Sequence, residues 1–174
     1  MATNISELIH QGILPQAINM DYFRLFNLNQ EFNINNIQLK KAYLALQNLV
    51  HPDKFVNYDI NYQTIAIEWA SFVNAGFNTL NNYADRASYW CKLHNINTDI
   101  QAEMHILEQT MSWYENLEAD SGSDNRKLIK FQAKTLQNEF IEKFTQLSYM
   151  DTSNQLLGRY AQTLLLIDRF LANM

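Results

Sequence analysis

The chain has 174 residues, enough for one ordinary domain or two small ones, and its 47% apolar and 18% charged residues are a globular composition. A net charge of −5 and a pI near 5.3 argue against a nucleic-acid partner, which needs a basic surface. No apolar run approaches the ~20 residues of a membrane span, and the single Cys91 excludes an internal disulfide framework and fits a reducing compartment.

The opening stretch "MATNISELIHQGILPQAIN" carries no Lys or Arg. Neither a signal peptide nor a transit peptide is expected, and a bacterial-type cytoplasm is the simplest setting. Ile5, Leu8, Ile9 and Ile13 make only a weak stripe, broken by Gly12 and Pro15. Residues 1–19 are therefore expected to be an extension dispensable for folding.

With four glycines and two prolines and no useful alternating runs, the chain reads as all-α. A short helix is predicted over 20–28. The turn "FNINN" follows, with Asn35 or Asn36 as N-cap. Leu39, Tyr43, Leu46 and Val50 then mark one stripe of a second helix. It must stop at His51, because Pro52 disfavours the α conformation in the residue before it. A third helix is predicted over 61–80, with Ile65, Trp69, Phe72, Val73, Gly76 and Leu80 on one face and Gly76 permitting close helix approach. "NNYADRASYWCKLHN" supplies a fourth. Residues 20–95 thus read as two long helices joined by the His51-Pro52-Asp53 loop and braced by two short ones.

"NINTDIQAE" reads as a joint, in which Thr98 and Gln101 have capping-box spacing. Three helices are predicted beyond it, over 100–118, 125–148 and 153–172, and their short connections imply an antiparallel bundle. Ile129, Ala133, Leu136, Phe140, Phe144 and Leu147 form the middle helix's core stripe. Leu157, Tyr160, Leu164, Ile167 and Leu171 form the last one's. Ile106, Trp113 and Leu117 make one stripe of the first bundle helix; Leu107, Thr110, Met111 and Tyr114 make another. One stripe suffices for a three-helix bundle, so the second either asks for a partner or is sandwiched within one compact protein. Residues 20–95 carry no net charge, whereas residues 96–174 hold seven basic and eleven acidic residues.

The histidines His10, His51, His94 and His105 form no zinc-binding spacing, and no phosphate-binding glycine loop or nucleophile elbow is present. No cofactor or metal is expected. Cys91 has no evident activating partner and reads as a buried structural thiol. A His51–Asp53 dyad without a nucleophile is weak evidence for an enzyme. A His-Pro-Asp tripeptide arises by chance about once in a hundred chains of this length, so the motif needs its surroundings.

Those surroundings carry a resemblance. "KKAYLALQNLVHPDKF" resembles the second helix and loop of a J-domain, the module that activates DnaK-type ATPase chaperones. "DYFRLFNL" resembles the family's opening helix. "AGFNTLNNYADRASYW" resembles the end of its third helix and start of its fourth, with Leu80, Arg86, Ala87 and Tyr89 in the matching places. The opening "MDYFRLF", the "HPDKF" and the helical tail together resemble the HscB group of J-proteins, dedicated to iron–sulfur cluster assembly. The resemblance covers residues 20–174 and places the fold as an N-terminal J-domain, 20–95, plus a C-terminal three-helix bundle, 96–174.

The resemblance implies a co-chaperone rather than an enzyme. His51, Pro52, Asp53 and Lys54, with Lys40 and Lys41 on the second helix, would contact a DnaK- or HscA-type ATPase chaperone and trigger its ATP hydrolysis. Ile106, Leu107, Thr110, Met111, Tyr114 and Leu166 would contact an IscU-type scaffold, with no nucleic acid and no membrane involved. Leu44, Ala45 and Leu49 stand where J-domains are often basic, which implies weaker electrostatic steering. A J-protein for a different client, and a helical adaptor in which the tripeptide is only a turn, remain open at this level.

Overall fold

A computed structural model describes residues 5–151 and 154–174. Among these there are eight α-helices and no strand, as the sequence predicts. They fall into two compact units, residues 1–82 and 83–174.

The first unit is built around a helical hairpin. Helix α3 (Asn36–Val50) starts where the Asn35 side chain accepts the backbone N–H groups of Ile37 and Gln38, at 3.0 and 3.1 Å. It ends at His51, which is extended with φ −60° and ψ 126°, the conformation a following proline favours. A 3-10 turn over Pro52–Phe55 reverses the chain into α4 (Ile60–Asn81), capped by Asp59. Tyr43 stacks on Phe77 with ring centroids 4.0 Å apart, and the Tyr43 hydroxyl donates to Asn74 Oδ1 at 3.1 Å. Leu39, Val50, Trp69, Val73 and Leu80 close the core.

Helix α2 (Tyr22–Leu25) is shorter than its predicted span, because Asn27 adopts a left-handed φ of 53° and a Schellman bond from Leu28 N–H to the Phe23 carbonyl ends it. It lies against α4 at Gly76. A Cβ there would come within 2.8 Å of Tyr22 and 3.2 Å of Leu25 and Phe26, so the predicted close approach is present.

Residues ahead of Met20 correct one expectation. They are not a detached extension. Helix α1 (Ile5–His10) packs on α3 and α4 and buries Ile5 and Ile9. It closes in a Schellman motif, with Ile13 N–H donating to the Leu8 carbonyl and Gly12 at φ 73°. The Ile13 carbonyl then accepts Trp69 Nε1–H at 2.8 Å. A stripe too short to hold a helix alone is stabilised here by tertiary burial. The readings that fall on Met1–Asn4 lie outside the described residues.

The second unit comprises α5 (Tyr83–Leu93), α6 (Met104–Ala119), α7 (Ser123–Met150) and α8 (Leu156–Ala172). By packing, the chain divides just ahead of α5, earlier than the joint read at residue 96. Helix α5 packs on α8, and its Trp90 meets Phe144 of α7 edge-on at 5.7 Å. Asn95, at φ 55°, ends α5. The Thr98–Gln101 capping box does not start α6. That helix begins at Met104, after Glu103, whose β-like ψ of 125° and backbone N–H bond to Thr163 Oγ1 at 3.0 Å keep it outside the helix. The stripes of α7 and α8 face inward as read: Ile129, Ala133, Phe140, Phe144, Leu157, Leu164 and Ile167 are buried, and Leu136, Leu147, Tyr160 and Leu171 are partly so. The predicted start of α8 at Ser153 lies outside the described residues.

Gly158 is a contact the periodicity does not reveal. A Cβ there would collide with the Asn97 backbone carbonyl. Backbone cannot swing aside as a side-chain tip can, so Gly158→Ala is expected to lower unfolding free energy by about 1–3 kcal/mol. Ile9→Ala, which empties a fully buried site, is expected to cost about 2–5 kcal/mol. Urea melts of the two variants check both; wild-type midpoints would mean that neither contact is part of the folded packing.

Candidate functional site

The site at the tip of the hairpin is assembled by the stop of α3. His51, Pro52, Asp53 and Lys54 are all exposed, and Phe55 behind them is buried. The His51 carbonyl accepts Lys54 N–H at 3.0 Å, which closes the turn. His51 Nδ1 accepts the Asp53 backbone N–H at 3.3 Å. It also lies 3.5 Å from Asp53 Oδ2, a contact that would be an ion pair only in the protonated ring. The two roles compete for one nitrogen. His51 and Asp53 thus stand as an exposed imidazole and an exposed carboxylate on a turn whose φ at Pro52 is fixed.

Lys40 and Lys41 are exposed on α3. Leu44 lies one helical turn beyond them and Leu49 next to the His51 turn, at 53% and 41% exposure. The exposed surface of α3 is therefore mixed, cationic in its first half and apolar toward the turn. In the sequence Phe55 enters only as the last residue of the "HPDKF" that carries the resemblance, with no structural role attached to it; the structure buries it beneath the turn.

A second surface lies on α6 and α8. Leu107, Met111 and Tyr114 are 38%, 59% and 43% exposed. Leu166 of α8 is partly buried. Ile106 and Thr110 are each 2% exposed. This corrects the expectation that all six residues share a contact face. Ile106 and Thr110 turn inward, and Thr110 spends its hydroxyl on the Leu107 carbonyl at 2.8 Å. Met104, which the sequence reading passed over, is exposed and joins Leu107, Leu166 and Arg169 around a cavity of about 250 Å³. Beneath the face, Trp113, Ile129, Ala133 and Phe170 form the bundle core, and Tyr114 meets Phe170 edge-on at 4.8 Å.

Two-stripe amphipathicity on α6 thus resolves into one buried stripe and one exposed one. Of the exposed residues, Met104 and Leu107 border the concavity, and Met111 and Tyr114 continue the exposed stripe outside it.

No family model matches the chain. Among curated proteins, a co-chaperone protein HscB homolog of Paraburkholderia phymatum is 31% identical over 166 residues, covering 91% of this chain and 94% of the relative. The chain belongs to the HscB co-chaperone family. An HscB homolog of Neisseria meningitidis is 36% identical over 123 residues, covering 68% of this chain and 71% of the relative. Among solved structures, human co-chaperone HscB matches with a TM-score of 0.75 at 27% identity, covering 89% of this chain and 78% of that one. HscB from Vibrio cholerae matches in fold, with a TM-score of 0.76 at 22% identity over 88% of this chain and 94% of that one. HscB membership accounts for the all-helical architecture and for the order of its elements.

Cys91 bears on whether this HscB-family chain carries chemistry of its own. The thiol is buried, and burial pushes it up to about 12. A neutral thiol is a poor nucleophile. Folded protein at pH 8 is expected to resist alkylation by iodoacetamide, and protein in denaturing urea to react fully. Mass spectrometry reads the result; rapid labelling of the folded form would place Cys91 in an accessible, activated site.

Proposed function

We propose that this chain is the co-chaperone of an iron–sulfur assembly system. It stimulates ATP hydrolysis by a DnaK- or HscA-type chaperone through the hairpin tip, and it presents an IscU-type scaffold to that chaperone through the α6–α8 face. Residues 20–95 act as the J-domain and residues 96–174 as the client-binding bundle. The work takes place in the cytoplasm, and no helix among the described residues is long and apolar enough to cross a membrane.

The observation that carries the reading is the exposed His51-Pro52-Asp53 turn at the tip of a two-helix hairpin, in a chain whose relatives are HscB co-chaperones. This chain supplies the partner with shape and polar contacts, not with a reacting group. Pro52 holds the turn. His51 offers its imidazole and Asp53 its carboxylate to polar groups of the chaperone, where a charge-assisted hydrogen bond is short and directional. Lys40, Lys41 and Lys54 favour an acidic surface, while Leu44 and Leu49 add apolar area. The cost of fixing the loop is met when the hairpin folds, so less is lost on binding.

His51→Gln is expected to keep the fold, since the ring is exposed, and to abolish stimulation of the chaperone's ATPase. Circular dichroism and single-turnover hydrolysis on one sample check this; full stimulation by the variant would remove the J-domain reading.

On the client side, Leu107, Met111, Tyr114 and Leu166 are the proposed contacts, set on Ile106 and Thr110 below them. Leu107→Ala and Tyr114→Ala are each expected to weaken scaffold binding by about 1–3 kcal/mol. Their half-exposed side chains fill no closed cavity, so the stability cost should stay under about 2 kcal/mol. Titration calorimetry paired with urea melts separates the effects. Unchanged affinity with a large fall in melt midpoint would assign these residues to packing alone.

A further inference from the structure

The hairpin tip needs an anchor. Each residue from His51 to Lys54 is exposed, so the turn takes its position from what lies beneath it. That is Phe55, the buried residue of the Pro52–Phe55 turn. Its ring packs against Tyr58 with centroids 5.6 Å apart and against His10 at 6.4 Å, and His10 meets Tyr58 edge-on at 6.0 Å. The three rings close a triangle with centroid spacings in the range of favourable aromatic contact. Two of them belong to the turn and its exit. The third comes from α1.

His10 is held where it is from several directions. Its Nδ1 donates to the Ser6 carbonyl at 2.6 Å, which fixes the ring against its own helix. Ile9, beside it, has no exposed surface. Past the Gly12 turn, the Ile13 carbonyl is bound by Trp69 Nε1–H, Pro15 is buried, and Gln16 Nε2 donates to Glu68 at 3.3 Å. The segment is therefore pinned to α4 at its far end and packed on α3 and α4 at its helix.

We propose that residues 5–16 are a strap that positions the His51-Pro52-Asp53 turn, acting through the His10 ring on Phe55 and Tyr58. His10 is a positioning residue; it is exposed, so its contribution is the orientation of Phe55 and not the filling of a core. An exposed turn is only as well defined as the buried group that anchors it, and small misplacements of recognition groups are costly. The strap leaves Lys40 and Lys41 untouched. Because the turn itself carries the His51, Asp53 and Lys54 contacts, the strap should set how strongly this co-chaperone stimulates its partner.

This inference rests on the co-chaperone reading for its catalytic consequence but not for its structural one, and the experiment reads both. In the full-length chain, His10→Ala and His10→Phe are compared with the unaltered protein. Amide exchange is followed at Lys54 and Tyr58, whose N–H groups bond to the His51 and Phe55 carbonyls. Single-turnover ATP hydrolysis by a DnaK-type chaperone is measured over a range of co-chaperone concentrations. For His10→Ala, the expected results are an unchanged melting temperature and exchange at both amides faster by roughly two- to tenfold, the factor one aromatic pair supplies to an opening equilibrium. Stimulation at a fixed sub-saturating concentration should fall by at least a comparable factor, and His10→Phe should restore both exchange and stimulation. Wild-type exchange and full stimulation in His10→Ala would overturn the strap. If the unaltered chain gives no stimulation at all, the co-chaperone reading falls, and amide exchange alone decides whether the strap exists.

Discussion

Everything in the first unit depends on the clash between Pro52 and a helical His51. It stops α3 at Val50, turns His51 to an extended backbone and commits the chain to reverse direction. Once reversed, α4 can lie beside α3, and the Tyr43–Phe77 stack and the Tyr43–Asn74 hydrogen bond become available. Those contacts are remote from the tip but hold the two helices in one register. The same proline leaves the polar side chains of the turn outside the core. A helix stop and an exposed polar turn are thus one piece of covalent geometry.

The second unit solves a different problem. Helix α6 carries more apolar surface than its unit buries. Ile106, Thr110 and Trp113 turn inward, while Leu107, Met111 and Tyr114 remain half-exposed above them. Thr110 fits the inner position because its hydroxyl is satisfied by the helix's own Leu107 carbonyl. Gly158 lets the Asn97 backbone pass close to α8, and Thr163 fixes the extended entry to α6 through Glu103. The exposed stripe is therefore presented by a well-packed support. On the proposed function, one unit supplies a turn that triggers a partner and the other a face that holds a client, and neither requires a reacting group.

Much of this was legible in the sequence, for physical reasons that differ by element. The stripes of α7 and α8 are long and strictly helical in period, so both existence and inward face follow from them. The end of α3 follows from Pro52 alone. Gly76 announced its close approach by its place on an otherwise bulky face. The opening segment was misread because Ile5 and Ile9 span little more than one turn and are followed by Gly12 and Pro15; its stability comes from burial on α3 and α4, which no local pattern encodes. The capping-box spacing of Thr98 and Gln101 was overridden by a bond to Thr163, sixty residues along. At the candidate site, residue types were legible and their depth was not. The periodicity of α6 set Ile106 on the stripe of Trp113 and Leu117, where the structure buries it, and only the resemblance moved it to the contact face; Thr110 was grouped with Leu107, Met111 and Tyr114 because a four-residue band cannot be divided into inner and outer members until its packing is known.

The central claim is that one chain couples a client to a chaperone's ATP hydrolysis. Its most direct test is the chaperone's ATPase rate with this protein alone, with the iron–sulfur scaffold alone, and with both together. The account predicts a combined stimulation well above the sum of the separate ones, since the hairpin tip and the α6–α8 face would then act on one complex. A combined rate equal to that sum would contradict it.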